Sequence, residues 1–151
     1  MYEFAKYVHI LCAVVWVGGA VYAQLIALRV AASNDPTDLP KLGRNMEWIG
    51  TRVFLPASIL LFIAGLYMVS QRWEFQQTWI SISIVLWLVS AVAGSMYLGP
   101  KSKVVANLFE TEGPQSVAGR TLLDRLFLIS RIELVLFVVV IALMVWKPTL
   151  G

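Results

Sequence analysis

Residues 127–146 read FLISRIELVLFVVVIALMVW, a run that is apolar except at Ser130, Arg131 and Glu133. About 20 residues of this kind cross the roughly 30 Å hydrocarbon core of a bilayer as an α-helix. Three earlier segments have the same character, at residues 7–30, 53–71 and 78–99. The sequence therefore predicts an all-α integral membrane bundle of four transmembrane helices with up-down topology, forming one domain over residues 1–151.

The composition excludes an ordinary soluble fold. Of the 151 residues, 59% are hydrophobic and 14% are charged, whereas soluble domains carry about 45–50% apolar and about 25% charged residues. The net charge of +3 is not a nucleic-acid signature, because the basic residues lie at the ends of the apolar segments. We expect the lipid bilayer as a partner and no nucleic acid.

The distribution of basic residues predicts the orientation. The membrane side that contains the first and third connections carries nine lysines and arginines: Arg29, Lys41, Arg44, Arg52, Lys101, Lys103, Arg120, Arg125 and Arg131. The opposite side carries three: Lys6, Arg72 and Lys147. By the positive-inside rule, both of these connections are cytoplasmic and both termini lie outside, in a bacterium across the inner (plasma) membrane.

Two long connections are predicted, at residues 31–46 and 100–126. The Asn-Asp-Pro sequence at 34–36 and Pro40 are helix breakers in the first of them. Gly99-Pro100 is expected to end the third helix. The segment that follows it is predicted to form a short amphipathic helix on the membrane surface.

Polar residues inside a bilayer are costly and are functional candidates. Near the cytoplasmic side these are Gln24, Arg52, Arg131 and Glu133. Arg131 and Glu133 are two residues apart and do not face each other on a helix. We therefore expect Glu133 to pair with Arg52 and Arg131 to pair with Glu47, the alternative being that Arg131 extends to the membrane surface.

His9 is the only histidine and lies about one turn inside the outer end of the first helix. Cys12, the only cysteine, follows one turn later, and Trp16 follows two turns later on the same face. A neutral imidazole is a common ligand of haem iron and of metals. The alternative is an interfacial histidine that bonds water, a lipid headgroup or the backbone. His9 and Cys12 are the candidate metal ligands, and Trp16 is a candidate contact of a cofactor.

In an up-down bundle, residues at the same depth in the membrane lie in one layer. Four residues of the other helices are expected at the depth of His9: Met68, Ser81, Ser83 and Met144. A histidine and a methionine together form a known haem ligation, so Met68 and Met144 join His9 as candidate cofactor-binding residues. Methionine is also a common gap filler in any core. Two histidine ligands require a second copy of the chain.

Short motifs recur along nearly the whole chain: His9-x6-Trp16-x-Gly18-Gly19, Met46-Glu47 and Arg52 before Pro56, Gly65-Leu66, Arg125-x-Phe127 and Lys147-Pro148. Together they resemble a group of small bacterial membrane proteins of unknown function. The pattern also resembles, more distantly, HemJ-type protoporphyrinogen oxidases and CopD-type copper-resistance membrane domains.

The resemblance implies a haem b site, because HemJ-type proteins bind haem b through a histidine on the first helix, which His9 matches. Those proteins also use a lysine in the third helix, four residues after a tryptophan. Here Ser83 stands four residues after Trp79. The second ligand of the HemJ type is therefore missing, and protoporphyrinogen oxidation does not follow from the resemblance.

Three functions remain open at this stage. The first is a membrane protein that binds haem b through His9 and has a redox role. The second is a non-catalytic helical subunit of a larger membrane complex or a homo-oligomer. The third is copper handling, since His9, Cys12 and nearby methionines are soft ligands suited to Cu(I).

Overall fold

A computed structural model describes residues 1–33, 35 and 37–148 of the chain. Over these residues the chain forms four long helices, each long and apolar enough to cross a membrane: α1 Tyr2–Ala31, α2 Asp38–Arg72, α3 Thr78–Glu112 and α4 Val117–Trp146. The predicted all-α class and the four membrane-spanning helices are confirmed. We call the half of the bundle with the 73–77 connection the upper half, and the half with the other two connections the lower half.

Three of the helices contain a π-helical segment near the middle of the bundle. The segments are Val14–Gly18 in α1, Gly50–Phe54 in α2 and Ala93–Leu98 in α3. Proline removes a backbone hydrogen bond and its ring collides with the carbonyl of the preceding turn. Pro56 and Pro100 each lie two residues beyond the end of such a segment, where the wider turn leaves room for the ring.

The prediction that residues 31–46 form a loop is wrong over most of its length. Helix α2 begins at Asp38, and Pro40 lies in its first turn, where the missing N–H needs no partner. Asn34 and Pro36 of the expected breaker sequence lie outside the described residues. The helix begins early because Leu39 and Leu42, which are buried, anchor its first turns in the lower core.

The expected break at Gly99-Pro100 is also wrong, as is the separate surface helix. Helix α3 continues through Pro100 to Glu112, and Gly113, with a φ of 82°, ends it. Helix α4 begins at Val117 rather than at 127, and the Ser116 hydroxyl caps it by accepting a hydrogen bond from the Gly119 N–H at 3.0 Å.

The lower half is held together by a close contact between α2 and α3. Buried residues recur on α3 at a spacing typical of a helix face: Ser102, Val105, Ala106 and Phe109. Opposite them, Gly43 lies so close that a Cβ atom added to it would be 2.6 Å from the Ser102 carbonyl oxygen. Both helices extend beyond the hydrocarbon core, because 35 residues span about 50 Å.

The ion pairs differ from those expected. Glu47 pairs with Lys103 at 3.8 Å, and Arg44 pairs with Glu110 at 2.5 Å. Within the described part of the chain, no ion pair includes Glu133. The expected pairs with Arg52 and Arg131 were wrong because the extended α3 brings its own lysine to Glu47.

Candidate functional site

His9 is fixed by a hydrogen bond to the neighbouring helix. Its Nδ1 atom lies 2.8 Å from the Leu61 carbonyl oxygen on α2. A carbonyl only accepts hydrogen bonds, so Nδ1 is the donor of this bond, and in the corresponding tautomer of the imidazole the lone pair is on Nε2. This is the arrangement by which proteins orient a histidine that binds a metal through its other nitrogen.

Gly65 makes this position of the ring possible. A Cβ atom at Gly65 would lie 3.1 Å from Cε1 of His9 and 3.2 Å from Nδ1. Such distances are shorter than ordinary contacts between carbon and its neighbours. The glycine therefore allows the imidazole to lie close to α2.

His9 lines a cavity of about 530 Å³ in the upper half of the bundle. This volume falls within the roughly 300–1,000 Å³ typical of cofactor and small-molecule sites. The walls are mainly apolar, and six aromatic side chains contribute to them: Trp16, Phe62, Trp73, Trp79, Trp87 and Phe137. Phe62 and Trp87 stack with their ring centroids 3.9 Å apart.

The cavity opens between α1 and α4. Its exposed lining residues lie on these two helices: Ile10, Val14, Gly18, Ile141 and Val145. Since these helices are apolar on their outer faces, the opening faces the region of the lipid chains.

Most of the residues predicted for the His9 layer line this cavity. Met68, Ser83, Met144 and Trp16 belong to the lining, together with His9. Ser83 is buried, and its hydroxyl donates to the Trp79 carbonyl oxygen at 2.7 Å, so its proton is already used.

Two predicted residues do not line the cavity. Cys12 is buried one turn below His9 and is not part of the wall. Ser81 is exposed, and its hydroxyl donates to the Phe75 carbonyl oxygen at 3.2 Å. Among the described residues, no group of three or more His, Cys, Asp or Glu side chains could hold a metal ion.

Lys147 is a polar neighbour of this cavity that the sequence did not reveal. Its Nζ atom lies 4.3 Å from the ring centroid of Trp73 and 5.9 Å from that of Trp79. Both tryptophans line the cavity. A positive charge therefore lies at the upper end of an apolar pocket, where an aromatic pair holds it. Only its place in the short Lys147-Pro148 motif at the end of α4 could have drawn attention to it.

A second, smaller cavity of about 190 Å³ lies below the first, at the centre of the bundle. The two cavities share Trp16, Ser90 and Phe137. The rings of Trp16 and Phe137 are in contact, with their centroids 4.7 Å apart, and so form the wall between the two cavities.

The architecture defines a polytopic helical membrane protein with an aromatic cavity in its upper half. A family model described as predicted integral membrane protein (DUF2269) matches residues 3–148, which is nearly the whole chain. The protein therefore belongs to this family. No curated protein matches the chain, and no solved structure matches it.

Proposed function

We propose that this protein binds haem b in the upper cavity, with His9 as an axial ligand, and that it has a redox role in the membrane. The observation that carries the proposal is the hydrogen bond from His9 Nδ1 to the Leu61 carbonyl, which leaves Nε2 available at a large apolar cavity. The resemblance to HemJ-type proteins supports the same residue.

The residues around the cavity fit this group. Haem is a flat, largely apolar molecule, and the aromatic walls offer it stacking surfaces. Its propionates are anionic, and Lys147 at the upper end of the cavity is a suitable partner. When bound, haem supplies one-electron chemistry, while the protein sets its position, its ligands and its exposure to water.

Met144 would be the second residue that holds the iron. His9 contacts α2 through Leu61 and Gly65, and Met68 lies one turn from Gly65 on that same helix. Met144 lies on a different helix, α4, and also lines the cavity. A methionine ligand would favour the reduced iron and raise its reduction potential.

The test is an absorbance spectrum of protein purified in detergent from cells supplied with haem. We expect a Soret band and sharpened bands after reduction with dithionite. His9→Ala should lose these bands, whereas Cys12→Ala, a change one turn away on the same helix, should keep them. A flat spectrum in the wild type, or an unchanged one in His9→Ala, contradicts the proposal.

The same samples separate the two other functions. Copper in the purified protein that is lost in both His9→Ala and Cys12→Ala would favour copper handling. A chain with neither haem nor copper that co-purifies with other membrane proteins would favour a non-catalytic subunit.

We also propose that the lower half faces the cytoplasm of a bacterial cell and that the N-terminus is outside. The excess of lysine and arginine at that end of the bundle supports this orientation. Reporter fusions at residues 33 and 76 should be active on the cytoplasmic and outer sides, respectively, and the reverse pattern contradicts it.

A further inference from the structure

The central cavity has features of a second binding site. All three π-helical segments contribute to its wall, through Trp16 of α1, Thr51 of α2 and Ser95 of α3 among others. Segments of this kind occur frequently at functional sites in helical proteins. Prolines account for the two in α2 and α3, but no proline follows the one in α1.

A buried amide at this cavity lacks a hydrogen-bond partner. Gln24 is 8% exposed, and its Oε1 accepts a hydrogen bond from the Ser130 hydroxyl at 2.5 Å. Its Nε2 has no partner within the described residues. A buried donor without a partner is costly, so a ligand that accepts a hydrogen bond at this position is favoured.

Glu133 supplies an acidic group to the same cavity. It follows Ser130 by three residues, so the two share a face of α4, and both line the cavity. No lysine, arginine or histidine belongs to the described lining. The cavity thus combines one free amide donor with one carboxyl group and excludes an anionic ligand.

Five of the hydroxyl groups around the cavity already donate within the protein. Four donate to a carbonyl of their own helix: Thr51 to Glu47 at 2.9 Å, Ser58 to Leu55 at 2.9 Å, Ser95 to Ala91 at 2.6 Å and Ser102 to Leu98 at 2.7 Å. The fifth, Ser130, donates to Gln24, so these five offer a ligand only lone pairs. A fitting head group therefore accepts from Gln24 and donates to Glu133, as a hydroxyl group does.

The cavity reaches the lipid-facing surface through a window between α2 and α3. Its exposed lining residues are Thr51, Leu55 and Ser95. Above the window, Trp87 Nε1 donates to the Ser58 carbonyl oxygen at 3.2 Å, and below it the two helices meet at Gly43. The opening faces lipid chains, so the ligand is lipid-soluble.

We propose that the central cavity binds the head group of a lipid-soluble quinol, with its tail passing through the window. Four aromatic side chains line the cavity and suit a flat ring: Trp16, Phe54, Phe127 and Phe137. Gln24 would donate a hydrogen bond to one hydroxyl oxygen of the ring, and Glu133 would accept a hydrogen bond from that hydroxyl. A redox role for the bound quinol rests on the proposed haem, but the binding of the quinol does not.

Calorimetric titration of the detergent-purified protein with decylubiquinol tests the proposal. We expect saturable binding of one molecule per chain, weakened at least about tenfold in Gln24→Leu and in Glu133→Leu, because each loses one of the two hydrogen bonds. Glu47→Leu is the matched control, since Glu47 pairs with Lys103 outside the cavity, and it should bind as the wild type does.

A variant at the window tests the route independently of these hydrogen bonds. A Cβ atom at Gly94 has no atom within 4 Å, so Gly94→Leu should fold, as its elution and melting temperature would show, and should block binding. Met96→Leu, at a lipid-facing position of the same segment, should leave it intact.

Three results would overturn the proposal: no saturable binding, equal binding by all variants, or equal displacement by decylubiquinone or by 1-decanol. The ketone cannot donate to Glu133, and the alcohol lacks the ring. The titration is repeated in haem-free His9→Ala, where binding should persist, so a failure of the haem proposal leaves this test intact.

Discussion

The upper and lower halves of the bundle are built from different side chains. The upper half surrounds His9 with aromatic rings and encloses a cavity of about 530 Å³. The lower half brings Gly43 against the backbone of Ser102 and leaves a central cavity of about 190 Å³, whose mainly apolar wall includes Gln24, Glu133 and several hydroxyls. Large rings hold helices apart, whereas small residues let backbones approach. The difference matches the two proposals, with the larger haem above and the smaller quinol ring below.

The largest effect on stability is expected at the close contact of the lower half. In Gly43→Ala the new Cβ would lie 2.6 Å from a backbone oxygen of α3, so the helices must separate at a cost of about 1–3 kcal/mol. Gly50→Ala is the control, because its Cβ meets nothing within 4 Å. Thermal unfolding in detergent compares the two. Equal melting temperatures would mean that this contact does not hold the lower half together.

A smaller effect is expected in the upper half when Gly65 is changed. Gly65→Ala places a Cβ 3.1 Å from Cε1 of His9, so the imidazole must turn away from Leu61. We expect haem content to fall severalfold, corresponding to about 1 kcal/mol. Gly18→Ala adds a methyl group at the same cavity without a close neighbour and should retain haem. Full haem content in Gly65→Ala would argue against His9 as the ligand.

The two methionines should differ in their effect on the bound iron. Met144→Leu and Met68→Leu conserve volume, so each should change stability by less than about 1.5 kcal/mol. Only Met144→Leu should lower the reduction potential and alter the reduced spectrum, because only that change removes the proposed second iron ligand. Potentiometric titration of both variants measures this, and a shift in Met68→Leu alone would exchange their roles.

The smallest effect is expected at Lys147, which lies at the upper end of the His9 cavity. Lys147→Gln removes the positive charge proposed to face the propionates, and at an exposed position this should weaken haem retention by about 0–1 kcal/mol. The loss should diminish at high salt, because exposed charges are screened. Lys6→Gln, which affects a lysine paired with Glu3, is the control. A salt-independent loss would point to packing against Trp73 instead.

Much of the fold follows from the sequence, because apolar length alone identifies four membrane-spanning helices. The ends of the helices could not be predicted in this way. The apolar pattern ends at the edge of the hydrocarbon core, whereas α2 and α3 extend beyond it. The extensions of α2 and α3 are held by contacts with each other, at Leu42 and Val105 for example. Their helical spacing of buried residues was present in the sequence but was hidden by Pro40 and Pro100.

The candidate site was predictable in part. Depth in an up-down bundle was enough to expect Met68, Ser83 and Met144 near His9, and all three line its cavity. The hydrogen-bond partner of His9 was not predictable. It is the backbone carbonyl of Leu61, and every residue has such a carbonyl, so residue type does not identify it. The unpaired amide of Gln24 was equally hidden, since it depends on how α1 and α4 approach each other.

The most direct test of the account is whether an external imidazole can replace the side chain of His9. In His9→Gly, the Soret band should be absent from protein purified with haem available. Added imidazole should restore it, because the cavity keeps its walls and regains its ligand. A Soret band in His9→Gly without imidazole, or none in the wild type, would contradict the claim that the upper cavity holds haem through His9.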